Sequence, residues 1–410
     1  MTTFPLPLAE LFGQWGMYAV FLVIGFLFGY VLEISGFGDS RKLAAQFYFK
    51  DLTVLKVMFT AIVVAMLGIF LTTALGFLDY NLLWVNPTYL WPGIVGGLIM
   101  GVGFIVGGFC PGTSLVASAT GKLDGLFFTL GVLFGIFAFG ETVSLFEDFF
   151  YSSYMGRFTL MDLFNTSTGL VVLGVLLMAL FMFWGGEKLE QIFGGKRPED
   201  SPRWRYAAAA GMVLIAVSIL VMGQPTNLDR WEMIAEEKQP LLDDRLVQIH
   251  PGEVLSLRDD HLIKLVLLDV RAEADYNLFH LTDALHIPMS AMDARVPDLI
   301  LEPANTVFVV MSNDEAEATT AWKYLVAEGI PNVYILEGGV NNWLLTFIEN
   351  DPSISAKQAS LSTDILAYEF IAAFGASHSA AYPDAQHYGL VFEPKVKLEI
   401  KRAPSSGGCG

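Results

Sequence analysis

Cys110 and Cys409 are the only cysteines among the 410 residues, so the chemistry of each depends on its immediate neighbours and not on a disulfide framework. Cys110 stands in Ile105-Val-Gly-Gly-Phe-Cys-Pro-Gly-Thr-Ser114. Gly107 and Gly108 permit close backbone approach or a left-handed turn. Pro111 suits the first position of a helix, where its missing N–H is no loss. Cys110 is therefore expected at a helix start, with Gly112, Thr113 and Ser114 supplying free N–H groups and two hydroxyls beside the positive end of a helix dipole. Such a place would hold an anion, and the same field favours the thiolate or strengthens the S–H as a donor. The competing reading is a small residue packed into a tight turn, a role free cysteine often fills. Cys409 lies in Pro404-Ser-Ser-Gly-Gly-Cys-Gly410, where a thiol gains reach instead of burial. A disordered terminus, a lipid attachment point and a cloning remnant stand beside that reading. Glu33 and Glu141 fall in or near apolar runs, where a carboxylate lines a cavity or sits at the interface. All six histidines fall after residue 224 without metal-ligand spacing, so no metal and no redox cofactor is expected.

The elements that position these residues follow from composition. With 54% apolar and 16% charged residues, the chain is neither an ordinary soluble protein nor a disordered one. The net charge of −18 removes nucleic acid as a partner, because phosphate contacts need clustered Lys and Arg. Six apolar runs reach the ~20 residues that cross a bilayer as helix. They cover roughly 17–35, 55–77, 90–109, 125–145, 167–185 and 206–223. The first lacks a basic start and a small-residue cleavage site, so it is read as a retained helix. Arg41, Lys42, Lys50, Lys56, Lys122, Lys188, Lys196, Arg197, Arg203 and Arg205 share one side, and Arg157 alone holds the other. Basic residues stay cytoplasmic, which puts the N-terminus outside and, after six spans, the soluble part in the periplasm of a bacterial inner membrane. One re-entrant segment would reverse that assignment.

Gly36-Phe37-Gly38, closing the first run, aligns with Gly108-Phe109-Cys110, closing the third, at an offset of 72. Transporter folds built from two repeats show such weak symmetry, with broken helices meeting near the midplane; a pair of simple helix caps would leave the same trace. Residues 15–223, through Gly108-Phe109-Cys110-Pro111-Gly112 above all, resemble the YeeE/YedE family of sulfur-compound transporters. The resemblance implies import of thiosulfate or a related anion, handed along cysteines by S–H contacts. Gly38 stands at the first-repeat position, which leaves Cys110 as a single way-station beside Gly38 and Glu33.

From residue 265 onward short β-rich runs alternate with helical stretches: strands at 265–269, 284–287, 306–311 and 333–336, and a helix over about 314–328. Alternation of this kind implies a parallel sheet covered by helices on both faces. Leu267-Leu268-Asp269-Val270-Arg271, His280, Ala284, Ile287-Pro288 and Leu336-Glu337-Gly338-Gly339-Val340-Asn341-Asn342-Trp343 resemble the rhodanese fold over 245–350. In that fold a cysteine follows the central strand, and here Ser312 takes the place, followed by Asn313, Asp314 and Glu315. The acidic loop would repel an anion and raise a thiol's pKa, so a non-catalytic docking, scaffolding or sensing domain is expected, with Asp269, Arg271 and His280 as fold-stabilising contacts. In the remaining residues, helix is expected near 362–375 and an edge strand over 396–401. The Gly-Gly-Cys-Gly ending resembles the swinging arm of the SoxY carrier of periplasmic thiosulfate oxidation.

The expected architecture is an α-helical polytopic membrane domain of six transmembrane helices with an internal repeat (1–223), a linker (224–244), an α/β rhodanese-like soluble domain (245–350) and a C-terminal extension (351–410). The expected function is transfer of a small sulfur oxyanion across the inner membrane. The lipid bilayer, a periplasmic sulfur carrier and other membrane subunits are the expected partners. The alternative is a structural subunit of a larger membrane complex that keeps the transporter fold without transport.

Overall fold

A computed structural model describes residues 4, 6, 8–195, 204–348, 351–357, 364–384 and 387–398. Cys409 and residues 399–401 of the expected edge strand lie outside them. Among the described residues six helices are long and apolar enough to cross a membrane: Leu11–Ile34, Thr53–Ala74, Leu90–Ala119, Leu123–Leu145, Thr168–Phe193 and Trp204–Met222. The chain divides into two compact units near residue 225.

In the membrane unit, α1 (Leu8–Ile34) ends at Gly36, and the short α2 (Ser40–Ala45) precedes α3 (Thr53–Ala74). The pattern recurs: α4 (Leu90–Gly107) ends at Gly108, α5 (Pro111–Ala119) follows, and α6 (Leu123–Thr142) returns. Both breaks turn on a glycine in the left-handed region, at φ +81 for Gly36 and +74 for Gly108. Other residues enter that region only at a cost. After the short α7 (Glu147–Phe150) and α8 (Leu160–Phe164), α9 (Thr168–Phe193) and α10 (Trp204–Met222) complete the unit.

Two clusters hold these helices. Val63 and Leu67 of α3 pack with Val172, Leu176 and Ala179 of α9 and with Ala216 and Ile219 of α10. Gly169 permits this approach, since a Cβ there would lie 2.6 Å from the Leu220 Cα. Near the end of α9, buried Glu190 accepts the Leu52 N–H at 2.6 Å and pairs with Lys56 at 2.6 Å. The charge is thereby balanced, as a carboxylate in an apolar layer requires. The second cluster joins Phe37, Leu43, Val54, Phe109 and Ala117, so the phenylalanines that follow the two glycine breaks share one core.

The soluble unit starts earlier than the sequence pattern suggests. The stretch expected as a linker contains α11 (Asn227–Asp243), opened by a capping box in which Thr226 and Asp229 exchange hydrogen bonds. Then come β1 (Gln248–Ile249), α12 (Pro251–Arg258), β2 (Lys264–Asp269), α13 (Glu273–Leu278), β3 (Leu285–His286), α14 (Met289–Ile300), β4 (Thr306–Met311), α15 (Ala316–Ala327), β5 (Val333–Leu336) and α16 (Gly339–Phe347). The five strands are parallel in the order β1-β5-β4-β2-β3. Central β4 is buried along its whole length, as its unbroken apolar run requires.

The extension corrects two expectations. Described residues near 362–375 form no helix: Tyr368–Phe370 is β7, paired antiparallel with β6 (Ile354–Ala356). Leu366, Tyr368 and Phe370 turn inward while Ala367, Glu369 and Ile371 face outward, a period of two that only a strand satisfies. Residues 396–398 are not in a strand either; Val396 donates its N–H to Glu253 and Lys397 to the Tyr334 hydroxyl.

Candidate functional site

Cys110 caps the start of α5 from an extended conformation (φ −92, ψ 166), immediately before Pro111. Its N–H donates to the Thr113 hydroxyl at 2.9 Å, its carbonyl accepts from the same hydroxyl at 3.1 Å, and its Sγ lies 3.2 Å from that oxygen. Thr113 therefore holds both the backbone and the thiol of Cys110. The thiol is half-buried, with Thr113 and Ser114 fully buried behind it.

The expectation that both hydroxyls stand free needs correction. Thr113 is committed to Cys110, and Ser114 donates to the Pro111 carbonyl at 2.8 Å while accepting from Thr129 at 3.1 Å. Ser118 extends this chain, 3.0 Å from Thr129. These contacts, with Gly125 against Ala117, lay α5 antiparallel to α6. Thr129 lies six residues into α6, about 9 Å from its start at 1.5 Å per residue, and Cys110 lies a further turn toward its interior. Hydroxyls that bond to one another between helices replace water where lipid offers none.

Gly38 and Glu33 gather around a different partner. A Cβ on Gly38 would lie 2.7 Å from Glu33 Oε2 and 3.0 Å from Lys122 Nζ, and these two charges stand 3.6 Å apart. Gly112 occupies the first turn of α5. Gly108 packs on Ser40, whose hydroxyl donates to Asp124 at 2.9 Å. Glu141 is exposed in the last turn of α6. Sequence reasoning used Lys122 only to orient the chain; being the one basic residue between the third and fourth runs was the signal that it had a partner.

In the soluble unit Ser312 follows β4 directly and is fully buried. Its hydroxyl accepts the Ala318 N–H at 3.2 Å, and its carbonyl accepts that of Val340 at 2.9 Å. Asn313 donates to Asp275 at 2.8 Å. Asp314 accepts from the Asn341 amide at 2.7 Å. Glu315 takes both Arg245 guanidinium nitrogens, at 2.7 and 3.1 Å, and the Gly338 N–H. Glu315 thereby raises the pKa of Arg245. Arg245 lies far from this loop in sequence, and only folding reveals that the acidic run has a basic partner. Gly339 at φ +60 has no room for a side chain, because the carbonyls of Ser312, Asn313 and Asp314 converge on it.

Beneath the loop Asp269 and Arg271 form a buried pair at 2.6 Å, and Arg271 also donates to the Phe279 carbonyl at 2.7 Å. His280 bonds the Tyr276 carbonyl and stacks on its ring. Among the described residues no group of three or more His, Cys, Asp or Glu could hold a metal.

Comparison with known proteins agrees with this division. Residues 34–228 match the sulphur transport family, the YeeE/YedE group, and residues 250–346 match rhodanese-like domains. Over 113 residues, 28% of this chain, it is 29% identical to the thiosulfate sulfurtransferase GlpE of Pseudomonas fluorescens (strain Pf0-1), covering 94% of that protein. GlpE of Pseudomonas entomophila (strain L48) is 29% identical over 100 residues, 24% of this chain and 86% of that protein. No solved structure matches. The chain is a multi-pass membrane protein that joins a sulphur-transport domain to a rhodanese-like domain.

Proposed function

We propose that the membrane unit passes a small sulfur oxyanion of the thiosulfate class, with Cys110 as its single thiol station, and that the rhodanese-like domain docks or senses without catalysing. The observation that carries this reading is the half-buried Sγ at a break inside a membrane span, steadied by Thr113. There the S–H donates to an arriving anion while the start of α5 favours negative charge. Pro111, Gly112 and Ser114 fix the helix start that aims it. Thiosulfate is favoured because the GlpE relatives are named as thiosulfate sulfurtransferases.

The non-catalytic role of the soluble domain rests on the absence of cysteine from 250–346 and on Ser312 after β4, where a rhodanese nucleophile would stand. The bias of basic residues supports an inner-membrane protein with that domain outside. Cys409 would then face periplasmic sulfur carriers. Sulfur uptake by cells expressing the wild type or Cys110→Ala tests the proposal: uptake should fall to the level of cells without the protein. Equal uptake would instead support a scaffold subunit, a reading favoured by the Glu33–Lys122 pair beside Gly38 where the family resemblance places a second thiol.

A further inference from the structure

The loop between β4 and α15 is crossed by residues from beyond the five-stranded sheet. Asp364, at φ +58, places Oδ1 2.9 Å from the Asp314 nitrogen and Oδ2 2.6 Å from the Glu317 nitrogen, accepting both N–H groups. In return its own N–H donates to Asp314 Oδ2 at 3.2 Å, and its carbonyl accepts from Asn313 Nδ2 at 3.1 Å. One and three residues on, the segment leading into β7 is fastened again. The Ile365 carbonyl accepts from Asn341 Nδ2 at 2.8 Å, and the Ala367 N–H donates to Asn341 Oδ1 at 2.8 Å. Leu366 between them is buried in the core.

Asp314, Asp275 and Glu317 bring further carboxylates around Asp364, while Arg245 is held by Glu315 and Glu337. Burial, then Asp364 and Asp275, push the Glu317 carboxyl above its ordinary value. A carboxylate is held among others because the Glu317 N–H in the first turn of α15 and the Asp314 N–H just before it favour a negative group, and the chain supplies one itself.

We infer that residues 364–367 are an autoinhibitory strap: the Asp364 carboxylate occupies the N–H groups of the β4–α15 loop, so the rhodanese-like domain is closed to sulfur chemistry by its own chain as well as by Ser312. This goes beyond the transport reading and holds whether or not Cys110 handles sulfur. Replacing Ser312 by cysteine would then restore a thiol without restoring access to it.

The full chain in detergent, carrying Cys110→Ala and Cys409→Ser, provides the test. The thiol introduced by Ser312→Cys is exposed to a small anionic methanethiosulfonate. Its thiolate attacks the thiosulfonate sulfur, a mixed disulfide forms, and methanesulfinate leaves. Adding Asp364→Ala should speed modification at least tenfold. Lys395→Ala should not, although it removes bonds from another part of the extension to the Arg245 and Gln248 carbonyls. Equal rates with and without Asp364→Ala, or equal acceleration by Lys395→Ala, would overturn the inference. In a chain altered only by Asp364→Ala, amide exchange over 312–318 should quicken while 306–311 stays protected; unchanged exchange over 312–318 would also overturn it.

Discussion

Thr113→Val is the sharpest probe of the membrane site, because it keeps the shape of the side chain and removes only the hydroxyl that touches Cys110 three times. The Cys110 N–H loses its acceptor, and the carbonyl and thiol lose a partner. A helix-start hydroxyl contributes about 1 kcal/mol, and a donor left without an acceptor away from water costs about 1–3 kcal/mol. A loss of about 2 kcal/mol follows, or a fall of roughly 5 °C in the thermal midpoint of the detergent-solubilised protein. Thr113→Ser keeps the oxygen and should recover most of the loss. Sulfur uptake should follow the same order, wild type and Thr113→Ser above Thr113→Val. If the valine variant unfolds and transports like the wild type, or if serine is as harmful as valine, the hydroxyl does not organise the thiol.

Other expectations concern the breaks and the soluble unit. Gly108→Ala must place a Cβ at φ +74, 3.3 Å from the Ser40 carbonyl oxygen, and should destabilise by about 1–2 kcal/mol or more. Gly38→Ala meets only the ends of Glu33 and Lys122, which can swing away, and thermal unfolding of both variants should show the difference. Arg271→Leu leaves Asp269 charged and buried, which should cost about 3–5 kcal/mol; Asp269→Asn with Arg271→Leu should recover a large part in chemical denaturation. Ser353, through its hydroxyl and N–H, and then His378 hold the Asp351 carboxyl down to about 2. Its contribution to stability is present above the ordinary value of 3.8 and is lost as pH falls toward 2. The gap in thermal midpoint between wild type and Asp351→Asn should therefore stay constant from neutral pH to about 4 and close below it.

Much of this was legible in residue pattern. Six apolar runs became six candidate spans, and the unbroken Val307–Met311 run became the buried central strand. Pro111 marked the start of α5 because a residue without an N–H costs nothing there. What stayed hidden depends on partners distant in sequence. The hydroxyls of Thr113 and Ser114 looked available because sequence does not show that Thr113 turns back or that Thr129 faces Ser114. Arg245 and Asp364 reach the loop after β4 from 70 and 50 residues away, distances over which no local pattern operates. The extension was misread for another reason: its alanines raised helix propensity, whereas its alternating aromatics carried the strand signal.

The core shared by Phe37 and Phe109 also constrains movement. Close packing tolerates little void or overlap, so neither interruption of the helices can be displaced far without dragging its counterpart along. A displacement of one break is therefore passed to the other through this aromatic contact, and trimming either ring would loosen that coupling.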